Sequence, residues 1–476
     1  MDLLELSADF LRPEEAARAG ELPGKVDLPV ILTVRREKEG GRFTGNERDR
    51  MQLLLRLGLS GFAFLDLEED LQAPELDRRI REAGAGVIRS LHDIHGVPSD
   101  LSRRLAVLAR NAREIPKVAV TPCSAADLMR LLETFTALGS IPKVLFGMGD
   151  YGFPTRVLAP RLGSLFCYSS PPTGNEAQGH VDPRTLDELY GYHRIGKDTA
   201  VFGVIGNPVM HSFSPLIHNT GLLAQGLDAV YLPFLVDELA SFFHVADSLG
   251  VQGLSVTIPY KESVIPMLGY KDRAVAAIGA CNTMRRGADG RWEGTNTDAA
   301  GFLASLVQAF HGVVPPGQGA TVIGAGGASR AVVYTLLDQG VRVLVLNRTA
   351  LRAQKLAQEL GGRGASVQSA PLDESSVKLM AGFTDLIVQT TKLGMSPNEN
   401  ADPLPGYQFT GAEVVCDIVY APDTTSFLKR ALAAGCTVVR GSQMLLAQAY
   451  EQFAFFTGSP FPPGAKERLR ERMSSA

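Results

Sequence analysis

Thr321 to Ala331 read TVIGAGGASRA, and LVLNRT follows at Leu344 to Thr349. An apolar strand that runs into glycines and then into small residues has to turn into a helix, and a second apolar strand soon after makes the unit a parallel βαβ. Such glycines let the backbone approach a pyrophosphate at the helix N-terminus, where free N–H groups and the helix dipole favour an anion. Gly324, Gly326, Gly327, Ala328 and Ser329 form the candidate cradle, with Ser329 in place of a third fingerprint glycine. In the NAD-type pattern a carboxylate about 20 residues on accepts the ribose 2′-hydroxyl. This chain has Asn347, Arg348 and Thr349 at the end of the second strand and Arg352 one turn later. A guanidinium there suits a 2′-phosphate, so NADP is the expected cofactor. A plain glycine turn accounts for the first stretch alone but not for the basic second strand.

At 476 residues the chain is long for one core, and about two or three domains are expected. The net charge is −4 with both signs dispersed, and the basic run Lys466 to Arg472 reads as a solvated helix face, which argues against a nucleic-acid partner. Cys123, Cys167, Cys281, Cys416 and Cys436 lack CxxC spacing, as small buried thiols in a reducing compartment do; neither disulfides nor a metal site is expected. No apolar stretch approaches a membrane span, and Met1 leads into Leu3-Leu4-Glu5-Leu6 without a signal or transit pattern. The expected setting is the cytoplasm and the expected partners are small-molecule substrates, with the oligomeric state left open.

From the start to residue 195, short apolar runs alternate with helix-length amphipathic stretches, as parallel βα units require. The candidate strands are Leu3–Ser7, Pro29–Arg35, Phe62–Leu67, Gly86–His92, Ile115–Thr121, Pro142–Gly147 and Ser164–Ser169, one short of a (β/α)₈ barrel. A turn-rich stretch, Ser170 to Asp182, and a short helix lead to a new strand at Ala200–Ile205, which places a boundary near residue 197. The expected architecture is α/β throughout: a (β/α)₈-type barrel over 1–197, an α/β substrate domain over 198–312, and a Rossmann domain over 313–440. The long helix of 441–476 then returns to complete the substrate domain.

Between the barrel and the Rossmann unit lie three further stretches with chemical character. GVIGNPVMHSFSPLIHN places Ser212 and Ser214 before an apolar helix, LSVTIPYK delivers Lys261 just past a strand, and GTNTDAAGF starts a helix with Asp298. Taken singly these are ordinary capping and surface residues. Together with VTIPxK, GACNT (Gly279 to Thr283), NTD (Asn296 to Asp298), TTKLGM (Thr390 to Met395), DIVY (Asp417 to Tyr420) and MLLAQ (Met444 to Gln448), residues 200–460 resemble the shikimate dehydrogenase family. The resemblance implies NADP-dependent reduction of 3-dehydroshikimate to shikimate. It implies Lys261 and Asp298 as the catalytic pair, with Ser212, Ser214, Thr257, Asn282, Tyr420 and Gln448 lining the substrate pocket. Quinate is the nearest competing substrate, and the hydroxyls of Thr297 and Ser212 favour shikimate.

In the first half, IPKVAVTP puts Lys117 on the interior parity of a strand with Ala119 and Thr121. An amine buried among apolar groups is pushed toward its neutral form and attacks ketones. His92, in RSLHD, is the acid–base candidate, while Arg35 and Glu39 (LTVRREKEGG) and Arg156 (PTRV) are candidates to hold a carboxylate and orient the histidine. Residues 1–195 are similar to the type I 3-dehydroquinate dehydratase family, which implies an imine on Lys117, proton transfer by His92, and functional positions at Glu5, Arg35, Glu39 and Arg156. Two positions depart from that family. Ser7 replaces an arginine, and Ala177-Gln178-Gly179-His180 replaces APGQ, which implies fewer polar substrate contacts. The resemblance also places one more strand and helix ahead of the strand that carries Glu5, so a first βα unit is expected to be missing and the barrel open between Leu3–Ser7 and Ser164–Ser169.

The two halves together imply a bifunctional enzyme in which the first site makes the substrate of the second. Two other readings stand beside it: a degenerate barrel kept as a structural module, against which Lys117 and His92 argue, and a Schiff-base aldolase, against which the HD motif and the Arg35/Glu39 pair argue.

Overall fold

The computed structural model describes residues 2–109, 111, 113–170, 181–362, 367–373 and 375–474. Packing divides the chain into two compact units, one of residues 1–200 with 228–250 and one of 201–227 with 251–476.

The first unit is built on a parallel sheet of β1 (Leu4–Ser7), β2 (Val30–Thr33), β3 (Phe64–Glu68), β4 (Gly86–Asp93), β5 (Glu114–Val120) and β6 (Val144–Gly147), paired in chain order. Helices follow at Glu47–Gly58, Pro74–Glu82, Leu101–Leu108, Ala125–Ala137 and Gly149–Val157. Asn46 and Ser124 start two of them, their side chains accepting from the backbone N–H groups of Asp49 and Asp127. Most apolar residues of β2 to β6 are buried, as in parallel strands covered by helices, whereas those of the edge strand β1 are half-buried. Register fixes what shares the inner face: Thr33 pairs with Asp66, Glu68 with Ser90, and Ser90 with Lys117. Alternation along the strands adds Glu5, Arg35 and His92 to that face.

One expectation needs correction. The segment Ser164–Ser169 is not a strand, although it lies along β6. Leu165 N donates to Lys143 O at 2.8 Å, but Leu145 N donates to the side chain of Ser164, so a hydroxyl takes the place of a ladder carbonyl. Among the described residues the sheet therefore ends at β6, which pairs only with β5, and at β1, which pairs only with β2; the ring is not closed. Residues 228–250 of the 198–312 segment pack with the first unit. Strand β8 (Ala229–Leu235) and helix Leu239–Ser248 lie there, with Ala125 N donating to Asp237 at 3.0 Å.

In the second unit β7 (Ala200–Gly206), β9 (Val251–Val256), β10 (Tyr270–Lys271), β11 (Thr283–Arg286) and β12 (Trp292–Thr295) pair in the order β10-β12-β11-β9-β7, with β11 antiparallel to both neighbours. Helix Thr297–Ala309 packs on helix Gly441–Thr457 at Gly301, where a Cβ would stand 2.7 Å from the Gln448 backbone nitrogen; no larger residue permits that approach. The C-terminal strands are β13 (Gly319–Ile323), β14 (Arg342–Asn347), β15 (Val367–Pro371), β16 (Leu386–Gln389), β17 (Val414–Asp417) and β18 (Thr437–Val439). All are parallel in the order β15-β14-β13-β16-β17-β18, a doubly wound sheet whose switch point lies beside β13. Val322, Val343 and Val388 bury one face against Val332 and Leu336, and Ile323, Leu346 and Ile387 bury the other against Phe427 and Leu428. Among the described residues no helix is long and apolar enough to cross a membrane.

Candidate active sites

Lys117 stands on β5 with its side chain 3% exposed, but the apolar surroundings expected for it are not there. Its Nζ lies 2.7 Å from Asp66 Oδ2 and donates to Tyr168 Oη at 2.9 Å. The other Asp66 oxygen is 2.7 Å from Arg35 Nη2 and accepts from Ser90 Oγ at 2.5 Å. Burial alone would raise the Asp66 carboxyl, yet Arg35 and Lys117 hold it well below the usual carboxylate range. Glu68 sits 3.4 Å from Arg35 and 2.8 Å from the buried Arg50.

His92 follows two positions after Ser90 on the same face. Burial, reinforced by the Arg35 and Lys117 cations, holds its imidazole well below the ordinary value, and its buried Nδ1 has no hydrogen-bond partner among the described residues. Arg35 and Glu39, expected to hold a carboxylate and orient this ring, meet other side chains of the protein. Arg35 is taken up by Asp66, Glu68 and Ser90, and Glu39 pairs with Arg36 at 2.7 Å. Glu39 and His92 do line one cavity of about 290 Å³, together with Ser90, Asp93, His95 and Arg104. Glu5 accepts from Thr33 Oγ1. Arg156 is fully buried, its Nη1 donating to Tyr168 O at 3.1 Å while, among the described residues, Nε and Nη2 have no hydrogen-bond partner. The loop 177–180, where His180 departs from the family pattern, lies outside the described residues.

The second unit gathers its candidates in two groups. Lys261 Nζ is 2.5 Å from Asp298 Oδ2, and Asn282 Nδ2 reaches Asp298 Oδ1 at 2.8 Å, Thr297 Oγ1 at 3.0 Å and Gln448 Oε1 at 3.2 Å. Asn296 caps the helix by accepting from Asp298 N, which fixes the carboxylate at the first turn. In the other group Ser212 Oγ donates to Ser214 Oγ at 3.1 Å, and burial raises the Tyr420 phenol, offset in part by its bond with Ser212. Thr257 follows β9, its N–H donating to Ile205 O at 2.9 Å.

The nucleotide candidates sit as the fingerprint requires. Gly324 adopts φ +118°, open to glycine and strained for other residues, and a Cβ there would stand 2.4 Å from Thr390 Oγ1. Gly326 N donates to Ser329 Oγ at 3.0 Å, so Ser329 closes the first turn, and its hydroxyl is 2.7 Å from that of Thr390. A Cβ on Gly326 would meet nothing within 4 Å, which leaves room at the helix N-terminus for a pyrophosphate. A Cβ on Gly327 would stand 2.7 Å from Lys261 Cβ, so this glycine also gives the lysine its place. Asn347 Nδ2 donates to Thr349 O at 2.9 Å and shapes the turn after β14, where Arg348 and Arg352 are exposed. Among the described residues no group of three His, Cys, Asp or Glu is arranged to hold a metal ion.

Residues 1–197 match the type I 3-dehydroquinase family, 204–284 the shikimate dehydrogenase substrate binding domain, and 313–393 the shikimate / quinate 5-dehydrogenase family. The bifunctional 3-dehydroquinate dehydratase/shikimate dehydrogenase of Arabidopsis thaliana, a chloroplastic protein, is 33% identical over 97% of this chain and 78% of its own. The chain belongs to this bifunctional dehydratase/dehydrogenase family. The shikimate 5-dehydrogenase of Thermus thermophilus, solved with NADP(H) and shikimate, is 34% identical with a TM-score of 0.50 over 58% of this chain and 99% of its own. A quinate dehydrogenase of Corynebacterium glutamicum, solved with NAD, is 31% identical with a TM-score of 0.53 over 58% of this chain and 99% of its own.

Sequence reasoning missed Asp66, Tyr168 and the Gln452 network. Asp66 and Glu68 had a signal, two acids at interior parity in the strand FLDLE. Gln452 had none: it accepts from Ser255 Oγ at 2.8 Å and donates to Thr283 Oγ1 at 3.0 Å beneath Asn282, contacts set by tertiary packing.

Proposed function

We propose that Lys117 and Lys261 are the reactive lysines of two consecutive steps: dehydration of 3-dehydroquinate to 3-dehydroshikimate in 1–197, and reduction of 3-dehydroshikimate to shikimate in 198–476. Within the latter, 198–312 and 441–476 hold the substrate and 313–440 holds the cofactor. The observation that carries the reading is that each lysine is ion-paired with a buried aspartate, Lys117 within the 1–197 region that matches the dehydratase family and Lys261 within the 204–284 region that matches the dehydrogenase substrate domain.

In the first step Lys117 Nζ condenses with the C3 ketone, and the iminium draws electrons as a proton leaves C2. The C1 hydroxyl then departs with a proton, and hydrolysis frees the product. His92, neutral at pH 7, is the base and then the acid. The two unpaired nitrogens of Arg156 form a fork for the substrate carboxylate, since leaving them buried and unsatisfied is costly. Glu5, Arg35 and Glu39 frame the pocket, and Arg35 also holds Asp66.

NADPH, when bound, supplies a hydride to the ketone carbon. Gly324 to Ser329 would take its pyrophosphate, and Asn347, Arg348, Thr349 and Arg352 would surround the 2′-phosphate. Lys261, steadied by Asp298, delivers a proton to the ketone oxygen as negative charge gathers there. Asn282, Thr297 and Gln448 read substrate hydroxyls, and Ser212, Ser214, Thr257 and Tyr420 read its carboxylate end. That set of neutral donors rejects analogues that leave them unpaired. Five unpaired cysteines support a cytoplasmic setting.

Borohydride added with 3-dehydroquinate tests the first assignment. The adduct is expected on Lys117; an adduct on Lys25, Lys38 or Lys143, or none during measurable turnover, would overturn it.

A further inference from the structure

None of the roles above employs Tyr168, yet it touches the reacting nitrogen. Its hydroxyl accepts from Lys117 Nζ at 2.9 Å, and its ring centroid lies 4.0 Å from the same atom. The ring is held between Phe146 and Phe166, with centroids 5.4 and 5.7 Å away, and the Tyr168 carbonyl takes the Nη1 bond of Arg156. Contacts with both rings, the Lys117 amine over its face and a tethered backbone leave the phenol little freedom to swing away.

We propose that Tyr168 is a catalytic residue of the dehydratase site, relaying protons from Lys117 Nζ to the substrate ketone oxygen while the imine forms. This rests on the assignment of Lys117 as the imine-forming lysine. Condensing an ammonium with a ketone makes one C–N bond, breaks one C–O bond and releases one water. Of the three nitrogen protons, two end on the departing oxygen and one stays on the iminium. Some group in contact with Nζ has to move the two.

Asp66 is a poor carrier, because Arg35 and Lys117 keep it firmly ionised. His92 makes no hydrogen bond to Nζ, and its place on β4 suits the later proton at C2. A phenol can take an N–H proton while giving its own O–H proton to the ketone oxygen, and it ends each transfer as it began. Burial, with Glu5 and Asp66 nearby, raises the Tyr168 phenol well above its ordinary value, so it stays protonated between transfers.

The test uses the full chain in single-turnover trapping with borohydride and 3-dehydroquinate. Tyr168→Phe is expected to slow adduct formation on Lys117 by about 100-fold, the span of one general acid–base group. Substrate affinity and the NADPH-linked rate should be unchanged. Trapping at the wild-type rate would overturn the relay. If wild-type protein forms no Lys117 adduct, the imine assignment fails and the relay with it, whereas normal wild-type trapping with unaffected Tyr168→Phe sinks the relay alone. Should Tyr168→Phe lose its fold, 3-fluorotyrosine at position 168 keeps the ring and lowers the phenol pKa. The pH profile of trapping should then move to lower pH, and an unmoved profile would overturn the relay.

Discussion

Two lysine–aspartate pairs occupy this chain in different surroundings. Lys117 and Asp66 have side chains 3% and 0% exposed and lie in a charged cluster with Arg35, Glu68 and Arg50. Lys261 and Asp298 are 13% and 6% exposed, and the side chain that donates to Asp298, Asn282, is neutral, as are Thr297 and Gln448, which it reaches in turn. A covalent step needs the lysine amine itself held at one place, and the charged cluster supplies that fixed point at the cost of burying several ions. Proton delivery to a polyol needs a donor that also meets hydroxyls, and amides and hydroxyls provide it. In the proposed roles the same ion pair serves two chemistries according to what surrounds it.

The sharpest way to break the comparison is to remove each lysine in turn. Lys117→Ala should abolish dehydration, a loss on the order of 10⁴-fold or more for a covalent nucleophile. Lys261→Ala should lower NADPH-linked reduction by about 10² to 10⁴-fold. Each should leave the other rate intact, measured by enone absorbance and NADPH consumption; loss of both rates in a folded variant would contradict separate sites.

Next in size is the stability difference between the pairs. Asp66→Asn leaves Lys117 and Arg35 buried without their shared carboxylate and should cost about 3–5 kcal/mol, a fall of roughly 10 °C in melting temperature. Asp298→Asn should cost less, because Lys261 is nearer to solvent. Calorimetry of the two variants ranks them.

A smaller effect concerns the cofactor. Arg348→Ala should weaken NADP binding by about 1.5–3 kcal/mol and NAD binding much less. Titration with both nucleotides checks it, and an unchanged preference would remove Arg348 from the 2′-phosphate.

The smallest effect is one of pH on the dehydrogenase unit. Burial lowers the His218 imidazole from 6.5 to about 3, and its Nε2 meets Gln452. The unfolded chain therefore binds a proton that the folded one refuses, so this contribution to stability is full above pH 6.5 and is lost as pH falls toward 3. His218→Gln should flatten that part of the melting-temperature profile.

Much of this was legible in the sequence where a local rule applied. The glycines of 324–327 and the basic turn after β14 need only backbone freedom and charge, and the interior parity of Lys117 follows from strand alternation. What surrounds Lys117 was not legible, because Asp66 and Tyr168 arrive from positions 51 residues away on either side. Ser164–Ser169 looked like a strand from its composition, but a serine hydroxyl captured the donor that would have started the ladder. The partners of Arg35 were not legible either, because sequence shows its charge and not Asp66, Glu68 and Ser90 beside it.

The central claim is that one chain carries both steps, and the most direct measurement supplies wild-type protein with 3-dehydroquinate and NADPH and follows enone absorbance and NADPH together. The account predicts NADPH consumption that depends on 3-dehydroquinate, begins after a lag while 3-dehydroshikimate builds up, and yields shikimate. NADPH consumption with added 3-dehydroshikimate but none with 3-dehydroquinate would contradict it, leaving the first unit without the activity assigned to Lys117.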